Sequence, residues 1–154
     1  MQITRAGEYA VLGLMNLARR PAGQVAMIDE VSRGEQIPRS FLAKIFQQLA
    51  KGGLVRSTRG AHGGFVLARA ADQITVLEIV ESVEGRTVSQ ICKLAKPDCK
   101  HVGGCALCGL FEQAQDGLKD VLLRTTLFDL VRQQDDLETA RVEEHSFTPS
   151  NSRR

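Results

Sequence analysis

Residues 38–51 read PRSFLAKIFQQLAK, and the fold turns on how this stretch is read. Leu42, Ile45, Phe46 and Leu49 recur at i, i+3, i+4 and i+7, the spacing that lines one face of an α-helix. Pro38 suits the first helical position, where its missing N–H would have no partner anyway. Ser40, Ala43, Lys44, Gln47 and Lys51 recur on the opposite face. No Asp or Glu occurs between Gln36 and Ala71. That face is therefore polar or positive throughout, whereas an ordinary solvated face mixes both signs.

Upstream, a first helix is predicted from about Thr4 to Arg20, with Thr4 as cap and Val11, Leu14, Met15 and Ala18 at helical spacing. Pro21-Ala22-Gly23 ends it. A short second helix spans about Met27 to Gly34, with Gly34 opening the following turn. Downstream, Leu54-Val55-Arg56-Ser57-Thr58 and Phe65-Val66-Leu67-Ala68 are β-prone runs joined by Arg59-Gly60-Ala61-His62-Gly63-Gly64, the signature of a hairpin. Helix, turn, polar-faced helix and basic-tipped hairpin together predict a winged helix-turn-helix. The fold class is mainly α with a small β-hairpin wing.

A further helix starts at Thr75, where Glu78 completes a capping box, and stops at Gly85. The cysteine stretch from Val88 to Gly104 contains Pro97 and Gly103-Gly104 and reads as a loop. After it, Leu107, Leu110, Phe111, Ala114, Leu118, Val121 and Leu122 hold helical spacing to about Arg124. A helix of this length spans about 30 Å, and its apolar face exceeds what a small head domain needs to cover. A dimer seam is the expected use. A short helix, Thr126 to Gln133, follows, and from Thr139 the chain turns polar. The expected organisation is a winged helix-turn-helix head (1–85), a cysteine loop (86–104), a dimerisation helix with the short helix (105–138) and a mobile tail (139–154).

The 154 residues are 43% hydrophobic and 25% charged, the balance of a soluble globular chain. No apolar run approaches the roughly 20 residues that span a bilayer, and no secretory leader pattern opens the chain, so a cytoplasmic protein without membrane contact is expected. Residues 1–70 carry ten Lys/Arg against four Asp/Glu, and residues 71–154 carry ten against fourteen. A basic front half fits a nucleic-acid surface, where neutralised phosphates release counterions. No nucleophile–base pair, phosphate loop or dinucleotide fingerprint appears, which argues against an enzyme.

In such a head, residues near the start of the second helix of the motif reach base edges in the major groove. Here these are Arg39, Ser40, Ala43 and Lys44. Arg39 and Lys44 can donate to guanine or phosphate, while Ala43 offers only a methyl contact. In the hairpin, Arg59 and His62 flank glycines, Gly63 among them, that let the backbone approach a duplex. An arginine there suits a narrow minor groove. Arg5 and Tyr9 are candidate phosphate contacts.

All four cysteines fall within seventeen residues, as C-x(6)-C-x(5)-C-x(2)-C at Cys92, Cys99, Cys105 and Cys108. In a reducing cytosol, clustered thiols point to metal ligation rather than disulfides. Only Cys105 and Cys108 form the short arm usual in structural zinc sites. The wider spacings suit wrapping an iron–sulfur cluster, with zinc and redox-active thiols as alternatives. Glu8 shares a helix face with Val11, Leu12 and Met15; it is either a first-turn acid favoured by the helix dipole or a carboxylate awaiting a partner.

With both constellations in place, the chain resembles the bacterial family of IscR, NsrR and RirA regulators from Met1 to about Leu137. The resemblance is carried by Met1-Gln2-Ile3-Thr4, Glu8-Tyr9-Ala10-Val11, residues 41–49, Gly53-Leu54-Val55, Arg59-Gly60 through Gly63-Gly64-Phe65, and residues 126–131, in this order with the cysteines. It implies a homodimeric winged-helix transcription regulator that binds double-stranded DNA at a two-fold operator. It also implies a 2Fe–2S or 4Fe–4S cluster that senses iron–sulfur status, redox state or nitric oxide. Cys92, Cys99 and Cys105 match the family's three ligating cysteines. The fourth ligand is open between Cys108, at the place of a histidine in one branch, and Glu8 of the partner subunit, at the place of an acid in another; the softer thiolate is favoured. The rival readings are a zinc-stabilised DNA-binding regulator without sensing and an iron–sulfur electron carrier.

Overall fold

The computed structural model describes residues 3–60, 63–85 and 105–146. Within them the order is α1 (Arg5–Ala18), α2 (Ile28–Glu35), α3 (Arg39–Lys51), β1 (Val55–Thr58), β2 (Gly64–Leu67), a 3₁₀ turn (Ala71–Gln73), α4 (Val76–Glu84), α5 (Ala106–Arg124) and α6 (Leu127–Ser146). The architecture is helical apart from one two-stranded antiparallel hairpin, the winged helix-turn-helix that the sequence predicts.

The predicted stripe of α3 is its core face: Leu42, Ile45, Phe46 and Leu49 are all buried. They meet Ala10, Leu14 and Leu17 of α1, Val31 of α2, and Leu54, Val55, Ile74, Ile79 and Leu127 in one cluster. Phe46 sits edge-on to Phe65 of β2, with ring centroids 4.9 Å apart. Gly13 permits this packing, because a Cβ there would lie 2.7 Å from the Phe46 ring.

Between α2 and α3 the structure departs from expectation. Gly34 stays inside α2, and Gln36 supplies the left-handed residue instead, at φ 55°. Ser32 accounts for this: its Oγ donates to the Ile37 carbonyl at 2.6 Å, and its own carbonyl accepts the Ile37 N–H at 3.0 Å. Such a clamp offsets the roughly 1–2 kcal/mol that a left-handed non-glycine residue costs. Pro38 stands just outside α3, as its cap.

In the wing, Val55 pairs with Leu67, Arg56 with Val66, Ser57 with Phe65 and Thr58 with Gly64. Ala26, just ahead of α2, exchanges two 2.9 Å backbone hydrogen bonds with Phe65, so the base of the hairpin is tied to the helices.

Two capping boxes start α4 and α6. The Thr75 hydroxyl accepts the Glu78 N–H at 3.2 Å while Glu78 accepts the Thr75 N–H at 3.0 Å. Thr126 and Asp129 repeat the pattern at 3.2 and 2.9 Å. Burial pushes the Glu78 carboxyl up, but the Thr75 N–H and then Arg69, 2.9 Å away, outweigh it and hold Glu78 below the usual carboxylate range. A carboxyl whose folded pKa is depressed stabilises fully above its unfolded pKa and loses that contribution as pH falls through the folded value. Glu78→Gln is therefore expected to lower the unfolding free energy from urea denaturation near neutrality by about 1 kcal/mol or less for this partly exposed group. The gap to wild type should narrow as pH drops below the ordinary carboxylate range; a gap that is constant with pH would refute this assignment.

The last helix is longer than the sequence suggests. α6 runs 20 residues, from Leu127 to Ser146, instead of ending near Gln133, and it takes in residues expected to start a mobile tail at 139. No Gly or Pro interrupts it. Arg19 at the end of α1 grips Asp135 at 2.7 Å and Glu138 at 3.0 Å, which secures the middle of a helix whose apolar pattern is weak. Among the described residues, no helix is long and apolar enough to cross a membrane.

Candidate nucleic-acid interface and thiol site

The face of α3 opposite its core stripe is solvent-facing. Arg39, Ser40, Lys44, Gln47 and Lys51 are exposed and Ala43 is half-buried. With no acid from Gln36 to Ala71, this face and the wing form one cationic surface. At the tip of the wing, Gly60 has φ 116° and its carbonyl accepts the Gly63 N–H at 3.0 Å. The Thr58 hydroxyl closes the turn by accepting the Gly64 N–H at 3.1 Å. Arg59 is exposed at this tip. Gly63 has no room for a side chain, since a Cβ would lie 2.6 Å from the Thr58 carbonyl oxygen. His62 lies outside the described residues.

Arg5 is exposed at the start of α1. Tyr9, expected only as a phosphate contact, is half-buried and packs edge-on against Phe41 of α3, with centroids 5.7 Å apart and planes at 87°. α1 and α3 therefore present their solvent faces as one unit. Sequence reasoning missed Phe41, because it falls one residue before the core stripe and carries no periodic signal. It also missed Asp29 of α2, whose carboxylate accepts the Nε–H of Arg39.

A second link ties the end of α4 to the start of α1. Glu84, the last residue of α4, accepts the Thr4 N–H at 2.7 Å and the Thr4 hydroxyl at 2.9 Å. A carboxylate thus sits at the positive end of α1, eighty positions away in sequence. Gly7 makes room for it: a Cβ there would lie 2.5 Å from Glu84 Oε1. Glu8 itself is exposed.

Cys105 is the N-cap of α5 and Cys108 lies in the first turn; both are half-buried. The backbone N–H of Cys108, the Cys108 side chain and the N–H of Leu107 face the Cys105 sulfur and hold its pKa below the ordinary thiol range. A thiol at a helix N-terminus with a lowered pKa has the chemistry of a soft ligand. Cys92 and Cys99 lie outside the described residues, and among the described residues no trio of His, Cys, Asp or Glu is assembled into a metal site. Further along α5 only Gln115 and Leu122 are buried, whereas Leu107, Leu110, Phe111, Val121 and Leu123 are exposed.

Comparison with known proteins agrees with this geometry. Residues 3–133 match the family described as Rrf2, iron-dependent transcriptional regulator. An HTH-type transcriptional regulator of Neisseria meningitidis is 30% identical over 142 residues, covering 92% of this chain and 95% of the relative. The HTH-type transcriptional regulator IscR of Salmonella agona is 32% identical over 155 residues, covering 99% and 93%. Among solved structures, CymR, the global cysteine regulator of Bacillus subtilis, superposes with a TM-score of 0.72 at 26% identity, covering 86% of this chain and 98% of that one. The chain therefore belongs to the Rrf2 family, and it is a winged-helix DNA-binding transcription regulator rather than an enzyme.

Proposed function

We propose that the chain acts in the cytoplasm as a homodimer on a two-fold operator, with DNA affinity set by an iron–sulfur cluster, 2Fe–2S or 4Fe–4S. The observation that carries the proposal is the Cys105–Cys108 pair on the first turn of α5, half-buried and with Cys105 biased toward thiolate. This pair closes a run of four cysteines in seventeen residues. The donor set fits the group: Cys92, Cys99 and Cys105 would hold it, with Cys108 or Glu8 of the partner subunit as fourth ligand. When bound, such a cluster supplies a centre that responds to oxidation, to nitric oxide and to iron supply.

The rest of the reading concerns the chain's own residues. Arg39, Ser40, Ala43 and Lys44 enter the major groove; Arg59, His62 and Gly63 meet the minor groove; Arg5 and Tyr9 hold phosphates. The exposed apolar face of α5, with Leu107, Leu110, Phe111, Ala114 and Val121, forms the seam between subunits, since a patch of this kind on a soluble chain marks an interface. The head (1–85), cluster loop (86–104) and dimerisation region (from 105) then divide the labour. The loop leaves the head at Glu84, which is bonded to Thr4, and ends at Cys105, the cap of the seam helix. A change in the loop acts at both ends, on the helix bearing Arg5 and Tyr9 and on the seam. Two reading helices must sit about 34–36 Å apart, or a multiple of this, on a two-fold site, so a small shift alters affinity steeply.

The test is anaerobic purification with iron and sulfide counts, then fluorescence anisotropy on promoter duplexes with and without cluster. Iron and sulfide in near-equal number, and affinities that differ about tenfold or more between the two forms, are expected. Equal affinity would leave a plain DNA binder. Zinc without sulfide would convert the cysteine site to a structural one.

A further inference from the structure

Asp29 sets a carboxylate against Arg39, at the edge of the acid-free face of α3, and its position there calls for a reason. A carboxylate beside a duplex repels phosphates and lowers affinity for every sequence. As an exposed ion pair, with the Arg39 and Asp29 side chains 63% and 53% accessible, it contributes little to stability. What it does change is the orientation of one guanidinium.

Arg39 is the first residue of α3 and Asp29 lies in the first turn of α2. The turn between them is clamped by Ser32 and Ile37, with Val31, Ile37 and Leu42 buried on either side. Arg33 donates to the Asp29 carbonyl at 3.2 Å, which further settles this turn of α2. Asp29 Oδ1 takes the Nε–H of Arg39, and among the described residues the guanidinium has no other hydrogen bond. Its two terminal nitrogens are left unused. Their outward N–H bonds run parallel, the geometry that matches the O6 and N7 acceptors of guanine in the major groove. An arginine held in this way has also lost much of its rotamer freedom before binding, so less entropy is lost when it meets a base.

We propose that Asp29 is a specificity-determining positioning residue, whose carboxylate holds the Arg39 guanidinium through Nε so that its terminal fork reads one guanine in each half-site. This rests on the reading of Arg39 as a base-contacting residue, and the test separates the two. Without Asp29, Arg39 is free to turn toward phosphates, which exist at every sequence. Removing the carboxylate then raises general affinity while lowering discrimination, two opposite effects that a purely structural role does not produce.

The experiment is selection from a randomised duplex library with the anaerobically purified full chain, followed by anisotropy on the selected duplex and on its single-base variants. Wild type and Asp29→Glu are expected to prefer guanine at one position per half-site by about tenfold. Asp29→Asn and Asp29→Ala should reduce that preference to two- or threefold, bind unrelated duplexes at least as tightly as wild type, and melt at the wild-type temperature. Arg39→Ala should lose the same preference, with no further loss when combined with Asp29→Ala. If Arg39→Ala loses the guanine preference and both Asp29 variants keep it, the positioning role is wrong although Arg39 reads a base. If Arg39→Ala keeps every preference, the base-reading assignment fails and this proposal with it. A collapse of all DNA binding in the Asp29 variants would make Asp29 a structural residue and overturn the proposal as well.

Discussion

Replacing Phe46 by alanine is expected to remove about 3–5 kcal/mol of stability, the range for deleting a fully buried aromatic side chain. The ring is inaccessible to solvent and lies where three elements meet. It stacks edge-on with Phe65 of β2, and Gly13 of α1 is open to it because any side chain there would collide. Collapse around the void is restricted, since the wing is pinned to Ala26 by two backbone hydrogen bonds and α1 to α6 by Arg19. A domain stable by about 5–15 kcal/mol would lose a substantial part of that margin, and at the lower end of the range a share of its folded population with it. Urea unfolding should show a lower midpoint with an unchanged slope, and DNA binding should return on cooling as the folded fraction recovers. Phe41→Ala makes the contrast: Phe41 is 42% exposed and its edge-on contact with Tyr9 is worth about 0.5–1.5 kcal/mol. Near-equal midpoints for the two variants would show that the core is not organised around Phe46.

How far the sequence discloses the molecule follows from the range of the interactions involved. The buried stripe of α3 and the capping box at Thr75 are local patterns, three or four residues apart, and both are legible from spacing alone. The positive face of α3 is legible because a missing residue type is as visible as a present one. Gln36 is not, because its left-handed backbone is imposed by a serine clamp and not by glycine chemistry. The length of α6 is hidden for a related reason. Its apolar periodicity fades after Gln133, and what secures it is Arg19, more than a hundred positions away. Glu84 on Thr4 and Asp29 on Arg39 are likewise tertiary pairs without a sequence signature. The cysteines occupy an intermediate place. Their residue type and clustering suggest a soft-metal donor set, but in the function proposed above the choice of fourth ligand would depend on how two subunits approach, which no spacing within one chain encodes.

That choice is open to a direct test. On the proposed function, Cys105→Ser is expected to cut bound iron more than tenfold, since losing even an outer-sphere partner of a metal ligand costs 10–100-fold in affinity and this change would remove a ligand itself. It should also leave operator binding unresponsive to air or nitric oxide. Thermal unfolding of the head should stay close to wild type, because Cys105 lies outside the buried core. The informative comparison is Cys108 against Glu8. Cys108 stands one helical turn from Cys105, is half-buried and offers a soft sulfur; Glu8 is exposed on α1 and offers a hard oxygen. Cys108→Ala should therefore bleach the visible absorption of the anaerobic protein while Glu8→Ala keeps it. The Cys108 side chain also faces the Cys105 sulfur and lowers its pKa, so Cys108→Ser, which retains a hydroxyl donor there, separates loss of a ligand from loss of that support. Bleaching in both Cys108 variants assigns the ligand to the thiolate; bleaching in Cys108→Ala alone assigns it a supporting role. If Glu8→Ala bleaches and both Cys108 variants stay coloured, the fourth ligand is Glu8 of the partner subunit.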